Sequence, residues 1–235
     1  MTPFSDSLLE CRKPSAGLAD TARWELVKLV QRLFCAPDLR VPRLVVLSGL
    51  EAKNQSGWVA ACASEILAAN VDGRVCLVDA NLRHPIVHEH FGIANHHGFT
   101  DAVSGAGSVL EFTSQVSRNL WLLTSGSSRA DIDALFTAER LRPCLQELRA
   151  EFDYVLIDAP ASGLYNDAAM VGQVADGMVL VLGAHSTRRD AAQNVRDDLA
   201  QANVQILGVV LYDGTTNGTS RIPQANYSKL RSVSS

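Results

Sequence analysis

The sequence lacks any cysteine pairing pattern. Cys11, Cys35, Cys62, Cys76 and Cys144 are scattered and odd in number. That excludes a disulfide scaffold and predicts reduced thiols, as in a cytoplasm. No run approaches the ~18 apolar residues of a membrane-spanning helix. The first residues, MTPFSDSLLECRKP, have no charged-then-apolar leader layout. A cytoplasmic protein is therefore expected, one that reaches the inner face of a membrane only through a partner. Long basic runs are absent too. With 21 Lys plus Arg against 25 Asp plus Glu, the chain is mildly acidic, which argues against a nucleic-acid partner. There is no internal repeat.

What is present is an apolar chain of 235 residues, 47% hydrophobic, enough for one α/β domain with a large core. Residues 1–20 are polar and read as a flexible N-terminal arm. Residues 21–34 read as a helix with an apolar stripe of Trp24, Val27, Leu29, Val30 and Leu33. Strands are predicted at 44–47, 74–79, 119–124, 154–158, 177–182 and 206–211. Helices are predicted near 57–70, 98–103, 137–151 (with a possible kink at Pro143), 167–174 and 188–202. Strands that are apolar throughout, alternating with helices, indicate a three-layer α/β/α domain over 21–213 with a central, mostly parallel sheet. Residues 214–235 turn Gly/Thr/Ser/Asn-rich and read as a disordered tail; its Tyr227 is a weak candidate phosphoacceptor.

The sequence is organised around RLVVLSGLEAKNQSGWVAACASEILA, residues 43–68. An apolar strand enters a loop and an Ala-rich helix leaves it, which is where a P-loop holds a triphosphate. Asp79 and Asp158 end two further strands on the same side, where ligands of parallel sheets sit. Two strand-end carboxylates flanking a strand–loop–helix is the plan of a Mg-nucleotide site. Either Asp alone is equally readable as a helix cap.

Other features carry less. His84, His88, His90, His96 and His97 lie close together, but only His84/His88 has a helical ligand spacing, so the segment reads as a polar surface turn. Arg23, Lys28 and Arg32 read as a solvated helix face. Ser162 lacks the G-x-S-x-G context of a hydrolase nucleophile.

From Trp24 to Leu211 the chain resembles the bacterial tyrosine-kinase branch of the MinD/ParA-type P-loop ATPases. The most specific piece is VCLVDANLRHPIVHEHFGI, residues 75–93, which resembles that family's strand, D-A-D-L-R-x-P and F-G segment. Residues 98–105 resemble its G-L-S-D-x-L-x-G, and FDYVLIDAP, residues 152–160, its Walker B strand. The resemblance implies a P-loop NTPase-like fold and a cytoplasmic kinase domain. It also implies a membrane co-polymerase, or chain-length determinant, as partner in capsule and exopolysaccharide synthesis, and possible homo-oligomerisation. It implies a nucleotide site at Lys53, Asn54, Gln55, Ser56, Gly57, Arg83 and Tyr212, catalytic carboxylates Asp79 and Asp158, and Mg²⁺ held by Ser56, Asp79 and Asp158.

The departures from the family pattern fall on functional positions. Where G-x-G-K-[ST]-T belongs, Ala52, Asn54, Gln55, Ser56 and Gly57 stand. The phosphate-binding Lys is Gln55, the second Asp of D-A-D-L-R is Asn81, and the Asn near the base is Tyr212. Glu25, Lys28 and Gln31 replace the E-x-x-R-x-x-R assembly motif. Lys53 lies two residues early to substitute for the missing Lys. Losing one transition-state donor costs ~3 kcal/mol. The expectation is a degenerate kinase-like scaffold with weak or no ATP turnover, leaving open whether ATP/ADP and Mg²⁺ bind at all. An active autokinase regulating polysaccharide chain length and a MinD/ParA-like positioning ATPase are the alternatives.

Overall fold

The structure, a computed structural model, describes residues 20–35, 41–51, 55–127 and 131–212. The expected arm and tail, Tyr227, Ala52, Lys53 and Asn54 lie outside the described residues.

Seven strands form one sheet in the order β3-β4-β2-β5-β1-β6-β7. They are β1 (Leu44–Gly49), β2 (Val75–Asp79), β3 (Thr113–Gln115), β4 (Leu120–Leu123), β5 (Tyr154–Ala159), β6 (Gly177–Gly183) and β7 (Ile206–Tyr212). All pairings are parallel except β3 with β4. Strand side chains alternate faces, and β1 shows how both layers are filled. Leu44 and Val46 enter the core beneath one layer of helices, while Val45 and Leu47 enter the core beneath the other. The mostly parallel sheet covered on both faces is as expected from the continuous apolar runs. The antiparallel edge strand β3 is not, because Thr113-Ser114-Gln115 carries no apolar signal.

One helical layer is α1 (Asp20–Phe34) against α2 (Ser56–Asn70). The buried stripe of α1 is Leu26, Leu29, Val30 and Phe34, a 3.6-residue repeat. This corrects the expected stripe. Trp24 is 62% exposed, and Val27 and Leu33 are only partly buried. Helix α2 is buried nearly all round between α1 and the sheet, so its alanines and glycine allow close approach on both sides. The other core lies under α4 (Phe99–Ser104), α7 (Ala138–Glu151), α8 (Asp167–Gly172) and α9 (Arg189–Gln201). The short helices α3 (Val87–Phe91), α5 (Val109–Phe112) and α6 (Ile132–Leu135) fall in stretches where the sequence pattern predicts no helix.

Asp176 pins the entry edge of the sheet. One of its carboxylate oxygens accepts from the Arg43 and Leu44 backbone amides at 2.8 and 2.9 Å, and the other from Arg149 at 2.8 Å. At the opposite, carboxyl edge, the residue after β1 is held from two sides. The Leu50 amide donates to Val181 and its carbonyl accepts from Gly163. Ser48 bonds the Pro160 carbonyl and the Ser162 hydroxyl, which gives Ser162 a structural partner.

Candidate nucleotide site

Parallel strands β1, β2 and β5 end together, and their last side chains build the site. Asp79 and Asp158 are register partners on β2 and β5, and both are fully buried. Their hydrogen bonding differs. Asp79 accepts from the Asn81 amide at 3.2 Å and the Val87 amide at 3.1 Å, so it caps α3 from the end of the preceding strand. Among the described residues Asp158 accepts from no backbone amide and caps no helix; only the Ser56 and Asn81 side chains approach its buried oxygens.

Burial pushes both carboxyls up. For Asp158 desolvation is the main cause and the neighbouring Asp79 adds to it, against partial relief from the Ser56 and Asn81 side chains. Asp79 is pushed up to about 7, mainly by desolvation, against the backbone amides that favour its charge. Two adjacent carboxylates away from water cannot both ionise cheaply. The proton belongs on Asp158, which has no backbone donors, and the negative charge on Asp79, which has them.

The loop–helix junction sits over this pair. Gln55, at the position of the phosphate-binding Lys, precedes α2 in left-handed conformation, φ 49° and ψ 36°. An L side chain adopts that region at some cost, and glycine does so freely. Ser56 is buried at the first turn of α2. A Cβ on Gly57 would meet Ile86 Cγ2 at 2.7 Å and an Asp158 oxygen at 2.9 Å. The family's Thr at this position has therefore no room in this arrangement; Gly57 lets α2 close onto Asp158.

Arg83 is placed by groups that sequence reasoning did not find. Its Nε donates to Asp167 at 2.8 Å and its Nη2 to Asp133 at 2.8 Å, and its guanidinium lies 4.1 Å from the Tyr165 ring centroid. The start of α8 was legible at Asp167, but its partner was not. Tyr212 is buried at the end of β7, where its carbonyl accepts from the Ala184 amide. A narrow polar cleft at the strand ends is lined by Gly49, Glu51, Ser56, Asn81, His84 and Tyr165. The structure thus brings Gln55, Ser56, Gly57, Asp79 and Asp158 together and ties Arg83 to α6 and α8.

As a donor set, Ser56 with Asp79 and Asp158, the latter giving up its proton to the ion's charge, suits a hard, hydrated cation such as Mg²⁺. The phosphate side of the site fits less well, since Gln55 has no charge to offer a triphosphate.

Strand, loop, helix and strand-end carboxylates define a P-loop NTPase-like domain. No protein-family model matches the chain. Tyrosine-protein kinase YwqD of Bacillus subtilis (strain 168) is 29% identical over 180 residues, 76% of this chain and 75% of that protein. The chain spans 51% of a second curated tyrosine kinase and 23% of a third. Among solved structures, the kinase domain of VpsO superposes with a TM-score of 0.72 at 25% identity, covering 81% of this chain and 93% of that one. The septum site-determining protein MinD from Pyrococcus horikoshii OT3, complexed with Mg-ADP, shares the fold at a TM-score of 0.61 and 20% identity, covering 72% and 69%. The chain is a homologue of the bacterial tyrosine kinases, and its structural neighbours lie among them and the MinD/ParA-type P-loop proteins. Among the described residues, no helix is long and apolar enough to cross a membrane.

Proposed function

We propose that this chain is a degenerate member of the tyrosine-kinase branch that acts as a regulatory scaffold in exopolysaccharide biosynthesis, with little or no ATP turnover. The observation that carries the reading is Gln55. A neutral side chain stands at the phosphate-binding Lys position on a left-handed backbone at the head of α2. Phosphoryl transfer rests on positioning and electrostatic stabilisation, and this position supplies no charge. Two further features support the reading. Asn81 replaces a carboxylate beside Asp79, and Arg83 is held by Asp167 and Asp133. The partner in this reading is a membrane co-polymerase of the polysaccharide machinery, which recruits the domain to the inner membrane face.

Calorimetric titration with ATP–Mg²⁺, coupled to a phosphate-release assay, tests the reading. Weak or undetectable binding without release is expected. Tight binding with steady phosphate release would overturn it.

An active ATP-dependent autokinase is the second reading. It is favoured by the retained Asp79, Asp158 and Ser56, with Lys53 as substitute cation. Phosphotyrosine in the purified chain that disappears in Asp79→Ala would establish it in place of the first.

A further inference from the structure

A second cluster of metal-ligating side chains lies midway along α2 and shares no residue with the lining of the cleft. Cys62 and Glu65 stand one turn apart on α2, and His90 reaches them from α3. One ligand atom from each lies within 4.8 Å of the other two. Glu65 Oε2 and His90 Nε2 are 3.6 Å apart. Both are buried atoms without a hydrogen-bond partner among the described residues. Unpaired buried polar atoms are costly, and here two of them converge beside a buried thiol.

We propose that Cys62, Glu65 and His90 bind a divalent ion of the zinc class, clipping α3 to α2. A sulfur, an imidazole and a carboxylate suit Zn²⁺ and exclude a Mg²⁺- or Ca²⁺-selective site, which wants oxygen donors. Bonds of about 2.0–2.3 Å set tetrahedral ligand atoms roughly 3.3–3.8 Å apart. The present spread closes by about an ångström, within reach of side-chain rotation. Three protein ligands leave a fourth position for water. Binding converts the Cys62 S–H to a thiolate and releases that proton to solvent, while His90 binds neutral and Glu65 as carboxylate. Without an ion, burial and the neighbouring Glu65 hold the Cys62 thiol up at about 12.

The clip has a consequence for the first site. The Val87 amide at the start of α3 donates to Asp79. Fixing α3 through His90 therefore also fixes the position of one donor to Asp79.

The test uses the full chain. Zn²⁺ titration by calorimetry is expected to show one ion per chain. Co²⁺ substitution is expected to show a thiolate-to-metal charge-transfer band that survives in Cys11→Ser and Cys35→Ser and vanishes in Cys62→Ser. His90→Gln and Glu65→Gln should each weaken Zn²⁺ by about 100-fold or more, beyond the 10–100-fold typical of losing an outer-sphere partner. Zn²⁺ should raise the Tm of the parent chain and not that of His90→Gln. The Glu65 side chain is 32% exposed, so Glu65→Gln keeps the comparison sound if Cys62→Ser perturbs α2. No charge-transfer band in the parent chain, a band retained in Cys62→Ser, or Zn²⁺ affinity unchanged in both Glu65→Gln and His90→Gln would overturn the proposal.

Discussion

Asp79 and Asp158 stand side by side in register at the ends of adjacent parallel strands, one with two backbone amide donors and the other with none. In the unfolded chain each would lose its proton near pH ~4. In the fold both pKa values are raised. Between about pH 4 and 7 the folded chain therefore holds more protons than the unfolded one, and stability falls as pH rises through that window, by up to about 1.4 kcal/mol per pH unit for each proton. Thermal melts of the metal-free chain should give a lower Tm at about pH 8 than at about pH 5. Asp158→Asn should flatten the profile, because a neutral amide removes the second charge. A parent Tm that rises across this range would refute the shared-proton arrangement.

Gly57→Ala should destabilise the fold. The new Cβ would press on Ile86 and on the buried Asp158, and overpacking of this kind costs about 1–3 kcal/mol. Urea denaturation reads this directly. An Ala variant as stable as the parent would mean that α2 can lift off β5 freely.

Arg83→Ala should cost about 1–3 kcal/mol, the scale for leaving a buried polar group without its partner, since it strips the buried Asp167 of the half-buried Arg83. Arg83→Lys should recover little of this. A lysine is a point charge that cannot fork between Asp167 and Asp133 while stacking on Tyr165. Equal stability of Arg83→Lys and the parent would reduce the fork to a simple charge pair.

Gln55→Lys alone should leave phosphate release at background. The change restores a charge, but Asn81 and Tyr212 still stand where the family has Asp and Asn. The Lys would also inherit a left-handed backbone. A single-turnover assay with radiolabelled ATP is sensitive enough to decide. Full turnover from this one change would show that the rest of the site is intact.

Much of the fold was legible because continuous apolar runs mark buried parallel strands. The six such runs are β1, β2, β4, β5, β6 and β7, each within a residue or two of its expected bounds. Asp79 and Asp158 were legible as strand ends. Strand β3 was not, because an edge strand need not be apolar. On α1, periodicity alone could not separate Leu26 and Phe34, which are buried in the core, from Trp24, which faces solvent. The Arg83 anchors were illegible because Asp133 and Asp167 lie 50 and 84 residues away in sequence. His90 looked like one of several turn histidines, since its neighbours Cys62 and Glu65 sit on another helix.

By itself, then, the sequence determined the layers and the kinds of residue brought to the strand ends, because burial and periodicity are local properties of a chain. It also determined the loss of charge at Gln55. Only the tertiary structure decided that Asp158 is left without a backbone donor among the described residues, that Gly57 closes against it, that Arg83 is tied to Asp167, and that His90 meets Cys62 and Glu65. Each of these depends on strand register and helix packing between distant segments, and side-chain partners at that range follow from geometry that no local pattern encodes.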